Sequence, residues 1–151
     1  MGTDFEIVII RASCRTEDNH ELFWIFSRAQ LEYVVKELEL AEDSEWQMAA
    51  RYRNMVLPVI SLEKYFGYIS KANGGNHKYM VLRSVDGKRN VQRIIVQSES
   101  SPKFFKLTKT FSSLDAFVSP QKSKHLWGVY SLGVGKVGIV PDLVNICLEH
   151  V

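Results

Sequence analysis

Long hydrophobic runs are scarce in this sequence. The strongest, Met55 to Ile60, is interrupted by Pro58, and it falls far short of the ~20 residues that span a bilayer. No membrane insertion is expected. The early run Ile7-Val8-Ile9-Ile10 follows Asp4 and Glu6, which is unlike a secretory leader. Only two cysteines are present, Cys14 and Cys147, far apart and outside any CxxC. They are expected to be reduced thiols in a cytoplasmic protein. Charge of one sign is also lacking: a formal net charge of +2 does not by itself argue for nucleic acid. The 151 residues can bury roughly 70% of the surface their unfolded chain exposes, so no disulfide or metal staple is required.

Clusters that carry chemistry are missing too. His20, His77, His125 and His150 include no i,i+4 pair and no neighbouring cysteine, so metal-ligand spacing is absent. Gly133, Gly135 and Gly138 spell GxGxxG, but Ile139-Val140-Pro141 follows them. That is a strand, where a dinucleotide site needs a helix N-terminus. Cys14 with His20 would be a nucleophile and base only if the fold joined them. Glu42, Asp43 and Glu45 read as a solvated loop. No catalytic residue, metal or cofactor is expected, and the chain is read as a non-enzyme.

What is present is a series of short β patterns. Phe5 to Ala12 and Leu22 to Phe26 read as two strands of a hairpin. Leu31 to Leu40 fits helix and strand periodicity; the reading taken is a turn, then a strand from about Tyr33. Glu63 to Gly67 reads as a helical turn closed by glycine. Lys71 to Lys78, with Asn-Gly-Gly-Asn inside it, is the best internal boundary. Tyr79 to Arg83 and Gln92 to Gln97 flank an Asp86-Gly87 turn. Ser98 to Pro102 breaks the pattern before a strand from Phe104 to Leu107. Leu126 to Leu132 and Val137 to Val140 pair across Gly133 to Lys136, and Asp142 to Leu148 closes the chain as a helical turn or more. Many short strands with little helix predict an all-β barrel or sandwich. Val56-Leu57-Pro58 is echoed by Ile139-Val140-Pro141, each with a leucine soon after; two related half-barrels would account for this.

Two stretches suggest binding. From Lys103 to Lys124, lysines at 103, 106, 109, 122 and 124 interleave with Phe104, Phe105, Phe111 and Phe117. Such a surface stacks bases and tracks phosphates in single-stranded nucleic-acid binders. Plain alternation, phenylalanines inward and lysines outward, accounts for the same pattern and is preferred. The other stretch is RYRNMVLPVISL, residues 51–62. Its proline removes a ladder donor, so the strand is an edge, starts late or is bulged. Residues 51–54 then form a hairpin corner that delivers Arg53 to one face.

This second stretch resembles the signature of CheW-like domains, approximately N-L-R-G-x-x-x-P-x-x-D-L. Arg53 falls on the motif arginine, Asn54 on its glycine, Pro58 on its proline and Leu62 on its leucine. Val35-Lys36-Glu37-Leu38 resembles the V-x-E-I strand, Trp127-Gly128-Val129 the second half's entry, and Val137 to Leu143 its closing strand and D-L. The order is kept over roughly residues 5 to 146. Departures mark a diverged member: Asn54 for glycine, Ser61 for aspartate, Val96-Gln97 for a V-D pair, and a short connection from Glu37 to Arg53.

The resemblance implies a mainly β fold of two SH3-like, five-stranded barrels, approximately 1–70 and 79–140, with 141–151 packing back on the first. It implies a non-catalytic adaptor of chemotaxis-type signalling. Its partners would be a histidine kinase regulatory domain and a chemoreceptor's helical hairpin tip. Carried over by position, the partner-binding residues are Val35, Glu37, Arg53 and Asn54. Glu37 and Arg53 are equally read as an ion pair that pins the corner. A third reading is a lone domain that takes a different β partner on a sheet edge.

Overall fold

The computed structural model describes residues 5–16, 19–42, 48–68, 78–85, 89–98, 101–107, 112–113 and 126–149. The elements run β1 (Phe5–Arg15), β2 (Glu21–Ser27), a 3-10 turn (Arg28–Gln30), β3 (Leu31–Val35), β4 (Glu39–Leu40), β5 (Ala49–Tyr52), β6 (Met55–Ile60) and α1 (Leu62–Tyr65). They continue with β7 (Lys78–Val85), β8 (Val91–Ser98), β9 (Lys103–Leu107), β10 (Ser112–Ser113), β11 (Leu126–Gly133), β12 (Lys136–Pro141) and α2 (Leu143–Glu149). The ambiguous Leu31–Leu40 stretch is a turn followed by strand, which begins at Leu31 rather than Tyr33. The Lys71–His77 boundary, the acidic Asp43–Glu45 and the Asp86-Gly87 turn lie outside the described residues.

The strands form two sheets with one topology. The first sheet is ordered β10-β11-β12-β2-β1-β9 and the second, read from its other end, β4-β5-β6-β8-β7-β3. In each, the third and fourth strands pair in parallel, β12 with β2 and β6 with β8, and every other pair is antiparallel. The two sequence halves are therefore structural repeats, each a hairpin, four more strands and a helix. They are also interlocked. The β1–β2 hairpin joins the strands of the second half, and the β7–β8 hairpin joins those of the first. The expected split into 1–70 and 79–140 thus does not follow the sheets, which hold residues from both halves. The chain crosses between sheets at the 3-10 turn, and again between β8 and β9.

The helices repeat as well. Ser61 caps α1, its side chain accepting the Lys64 N–H, and Asp142 caps α2, its Oδ1 accepting the Asn145 N–H at 3.3 Å. Serine and aspartate are comparable caps, so the two helices start alike. Leu62, Tyr65 and Phe66 follow one cap, and Leu143, Ile146 and Cys147 the other, at the same i, i+3, i+4 spacing that makes one helical face. All six are buried in one core. The repeat is registered by caps and leucines, not by prolines, because Pro58 lies three residues before its cap and Pro141 one. Each helix packs on a hairpin of the opposite sheet: α1 on β1, and α2 on β7 and β8.

That shared core takes one face of the β7–β8 hairpin through Met80, Leu82, Ile94 and Val96. The intervening Val81 and Ile95 face a second cluster with Ala50, Tyr52 and Leu57 inside the second sheet's curl. Period-2 alternation buries both faces of this hairpin, which is why its strands read as nearly continuous apolar runs. Glu63 is fully buried, its carboxylate accepting from Trp24 Nε1 at 3.4 Å and from Ser61 Oγ at 3.0 Å. Burial raises the Cys147 thiol to about 11, so it is an inert core side chain. Among the described residues no helix is long and apolar enough to cross a membrane.

Candidate docking groove

Pro58 costs its strand nothing in this topology. Met55 to Pro58 pair with β5, while pairing with β8 is confined to Val59 and Ile60. The Val59 N–H donates to Met48 O on the β5 side at 2.9 Å. Backbone directions alternate along a strand, so Pro58 turns its missing N–H toward β8, one residue before that ladder begins. The strand is a local edge there, as the sequence suggested.

The chain reaches β6 through a two-residue hairpin loop, since Tyr52 and Met55 are paired and Arg53 and Asn54 lie between them. Both loop residues have positive φ, 45° at Arg53 and 62° at Asn54, as the tightest hairpin turns demand. Asparagine tolerates this region. Arginine is held there against a left-handed penalty of roughly 1–2 kcal/mol. The Arg53 guanidinium lies over the Tyr52 ring at 5.2 Å, a contact that returns about 0.5–1 kcal/mol at an exposed site.

Beside this corner runs a shallow groove of about 340 Å³ lined by Tyr33, Val35, Glu37, Leu38, Arg51, Tyr52, Arg53 and Ile95. Three of the four sequence-predicted residues, Val35, Glu37 and Arg53, meet in it. Asn54 instead lines an adjoining depression with Glu39, Arg51, Arg53, Met55 and Val56. The groove lies where β3 and β5, from opposite ends of the second sheet, curl toward each other. Its floor is the partly buried Val35 and Leu38 with buried Ile95, and Tyr33 stands half-exposed 6.0 Å from the Tyr52 ring. Among the described residues no ion pair joins Glu37 to Arg53, which corrects the reading that they pin each other. Arg53 is occupied by the Tyr52 face, and Glu37 is exposed on the β3–β4 connection.

The wall carrying Tyr33 and Val35 is pinned from outside the groove. Arg93 Nε contacts both Glu32 oxygens at 2.9 and 3.0 Å, and Arg83 lies 3.7 Å from the same carboxylate. Burial alone would raise Glu32, but the bonds and charge of Arg93, with the charge of Arg83, outweigh it and hold the carboxyl below its ordinary value. Burial, and next the Glu32 carboxylate, push the Tyr52 phenol up.

Tyr33, Leu38 and Ile95 escaped the sequence reading as site residues, and Arg51 and Tyr52 entered it only as parts of the hairpin corner. Strand alternation in Arg51-Tyr52-Arg53 could have flagged Tyr52, placing the ring inward between two outward arginines. The Lys103–Lys124 surface is described only in part. Its first phenylalanines do not face inward: Phe104 and Phe105 are 49% and 47% exposed. Consecutive strand residues point to opposite faces, and among the described residues β9 is an edge strand paired only with β1. The Arg28 guanidinium covers Phe104 at 4.6 Å and pairs with Glu6 at 3.3 Å. The GxGxxG glycines form the β11–β12 turn and enter β12, with no helix behind them. Among the described residues no group of three His, Cys, Asp or Glu side chains could hold a metal ion.

Neither a family model nor a curated protein sequence matches the chain. Among solved structures, the chain is similar in fold to the scaffolding protein TtCheW from Thermoanaerobacter tengcongensis, at a TM-score of 0.65 and 14% identity over 95% of this chain and 87% of that one.

Proposed function

We propose that this chain is a non-catalytic adaptor that joins signalling proteins of the chemotaxis type, and that its groove beside the Arg53-Asn54 corner docks one of them. The observation that carries this reading is the convergence of Val35, Glu37 and Arg53, from β3, its following connection and the β5–β6 turn, on one apolar-floored groove. An apolar floor supplies affinity, and charges at its rim fix orientation and registry. The fold shared with a scaffolding protein supports the same reading. The partners that fit are a histidine kinase regulatory domain, itself a β-barrel, and the helical hairpin tip of a chemoreceptor. Sedimentation or calorimetry with each tests it. Complex formation below ~100 µM, a binding free energy beyond about −5.5 kcal/mol, supports the role; no complex with either partner contradicts it.

A second reading, single-stranded nucleic acid on β9, draws on the exposed Phe104 and Phe105 and on Arg28 over Phe104. It requires binding that weakens steeply with salt, and the loss of that binding in Phe104→Ala.

A further inference from the structure

We propose that Arg53 is kept at its turn as the anchor for a carboxylate on the docked partner, so that the groove selects an acidic residue seated beside an aliphatic one. This rests on the docking reading above. The first argument is a contrast between equivalent turns. The β11–β12 loop residue in the place of Arg53 is Val134, which takes no positive φ, and Gly135 takes 71°, whereas the β5–β6 loop holds both Arg53 and Asn54 at positive φ, 45° and 62°. A hairpin that needed only to turn would be served by glycine. Arg89 takes a positive φ of 63° as well, so the strain at Arg53 points to its side chain only together with its place at the rim of the groove.

The second argument is the state of the guanidinium. Arg11, Arg28 and Arg93 each hold a glutamate within 3.3 Å, and Arg83 reaches Glu32 at 3.7 Å. The other groove arginine, Arg51, stands opposite Glu39 in the β4–β5 ladder. Among the described residues Arg53, like Arg15, Arg51 and Arg89, has no carboxylate within ion-pair distance, and of these Arg53 is the one stacked on an aromatic ring at the groove. Its contact is the Tyr52 face, which limits its rotamers and leaves the planar fork of donors free to meet a carboxylate in two parallel bonds. The third argument is the surface beside it: Val35, Leu38 and Ile95 take an aliphatic side chain, not a second charge. Glu37, exposed at the rim, repels a second carboxylate and so favours one acid in one place.

The test uses two probe peptides, acetyl-Leu-Glu-Leu amide and its Leu-Gln-Leu counterpart, titrated into the labelled full chain while the Arg53 Nε–H and Val35 methyl NMR signals are followed. The glutamate peptide is expected to bind about tenfold more tightly at low salt. That preference should shrink as salt screens the pair, vanish in Arg53→Gly and be partly kept in Arg53→Lys. Equal response to both peptides, no response to either, or a glutamate preference that survives Arg53→Gly overturns the assignment. Arg53→Gly is expected to stay folded, because glycine suits the φ. The adaptor reading is decided separately, by whether the kinase domain or receptor tip binds the parent chain.

Discussion

The two hairpin corners of this molecule occupy the same place in the same topology, yet they are built from different residues. One is Gly133-Val134-Gly135, in which the glycines relieve the backbone and Val134 projects wholly into solvent. The other is Arg53-Asn54, where both loop residues take positive φ without glycine and sit at the rim of an apolar groove. Duplication provides the control: the fold needs a turn at both corners, and only one carries a charged side chain against the steric preference. The difference is what singles out the Arg53 corner for the docking proposed above.

The comparison depends on the two halves being equivalent and interlocked, and the largest expected effects test that. Leu62→Ala and Leu143→Ala remove equivalent side chains from one shared core. Each should cost about 2–5 kcal/mol, with a single cooperative denaturant transition. Two separate transitions would mean that the sheets fold independently. The equivalent helix positions Phe66 and Cys147 differ in chemistry, because only the thiol titrates. Its folded value, about 11 against an ordinary 9.0, means that the unfolded chain ionises first as pH rises. The stability it contributes is whole below pH 9 and declines as pH climbs toward 11, by roughly 3 kcal/mol in all. Urea melts across that range should show the decline in the parent, and a shallower one in Cys147→Ala.

Smaller effects separate the two caps. Asp142→Ala should cost about 1 kcal/mol. Ser61→Ala should cost more, because Ser61 also donates to the buried Glu63. Equal losses would show that the Glu63 contact adds no more than the bond Asp142 Oδ2 accepts from Asn145 Nδ2 at 2.6 Å. The smallest effects lie at the corners. Gly135→Ala should destabilise by about 1 kcal/mol through its positive φ, while Arg53→Gly should leave thermal stability within about 1 kcal/mol of the parent, relief of strain offsetting the added freedom of the unfolded chain.

Much of this was legible in the sequence, for identifiable reasons. Strands such as Leu22 to Phe26 carry β-branched and aromatic residues in short runs bounded by turn chemistry, and those signals are local. The Arg53-Asn54 corner was legible because Pro58 forbids a fully laddered strand and asparagine tolerates positive φ. Sheet membership was not legible. Which half a hairpin joins is decided by long-range packing, here by α1 on β1 and α2 on β7 and β8, and nothing within Phe5 to Phe26 states that β12 will lie beside Trp24. The Glu37–Arg53 pairing failed because opposite charges carried by position to one region suggest an ion pair, whereas the Tyr52 ring next to Arg53 was the nearer partner. Phe104 and Phe105 misled because alternation assumes a strand with a buried face, and β9 is an edge.

The central claim is that the Arg53 corner docks a partner and its glycine-built counterpart does not. Calorimetric titration of a histidine kinase regulatory domain into the parent chain, Arg53→Glu and Val134→Glu tests it directly. Both substitutions place a new acid at an exposed hairpin turn. Arg53→Glu also removes a positive charge, so Arg53→Gln, which shifts the net charge by the same single unit as Val134→Glu, is titrated beside them and is expected to weaken binding as well. The account predicts that Arg53→Glu weakens binding about tenfold or more, a loss of roughly 1.4 kcal/mol, while Val134→Glu binds as the parent does. Equal binding by all the chains, or a loss confined to Val134→Glu, would contradict it.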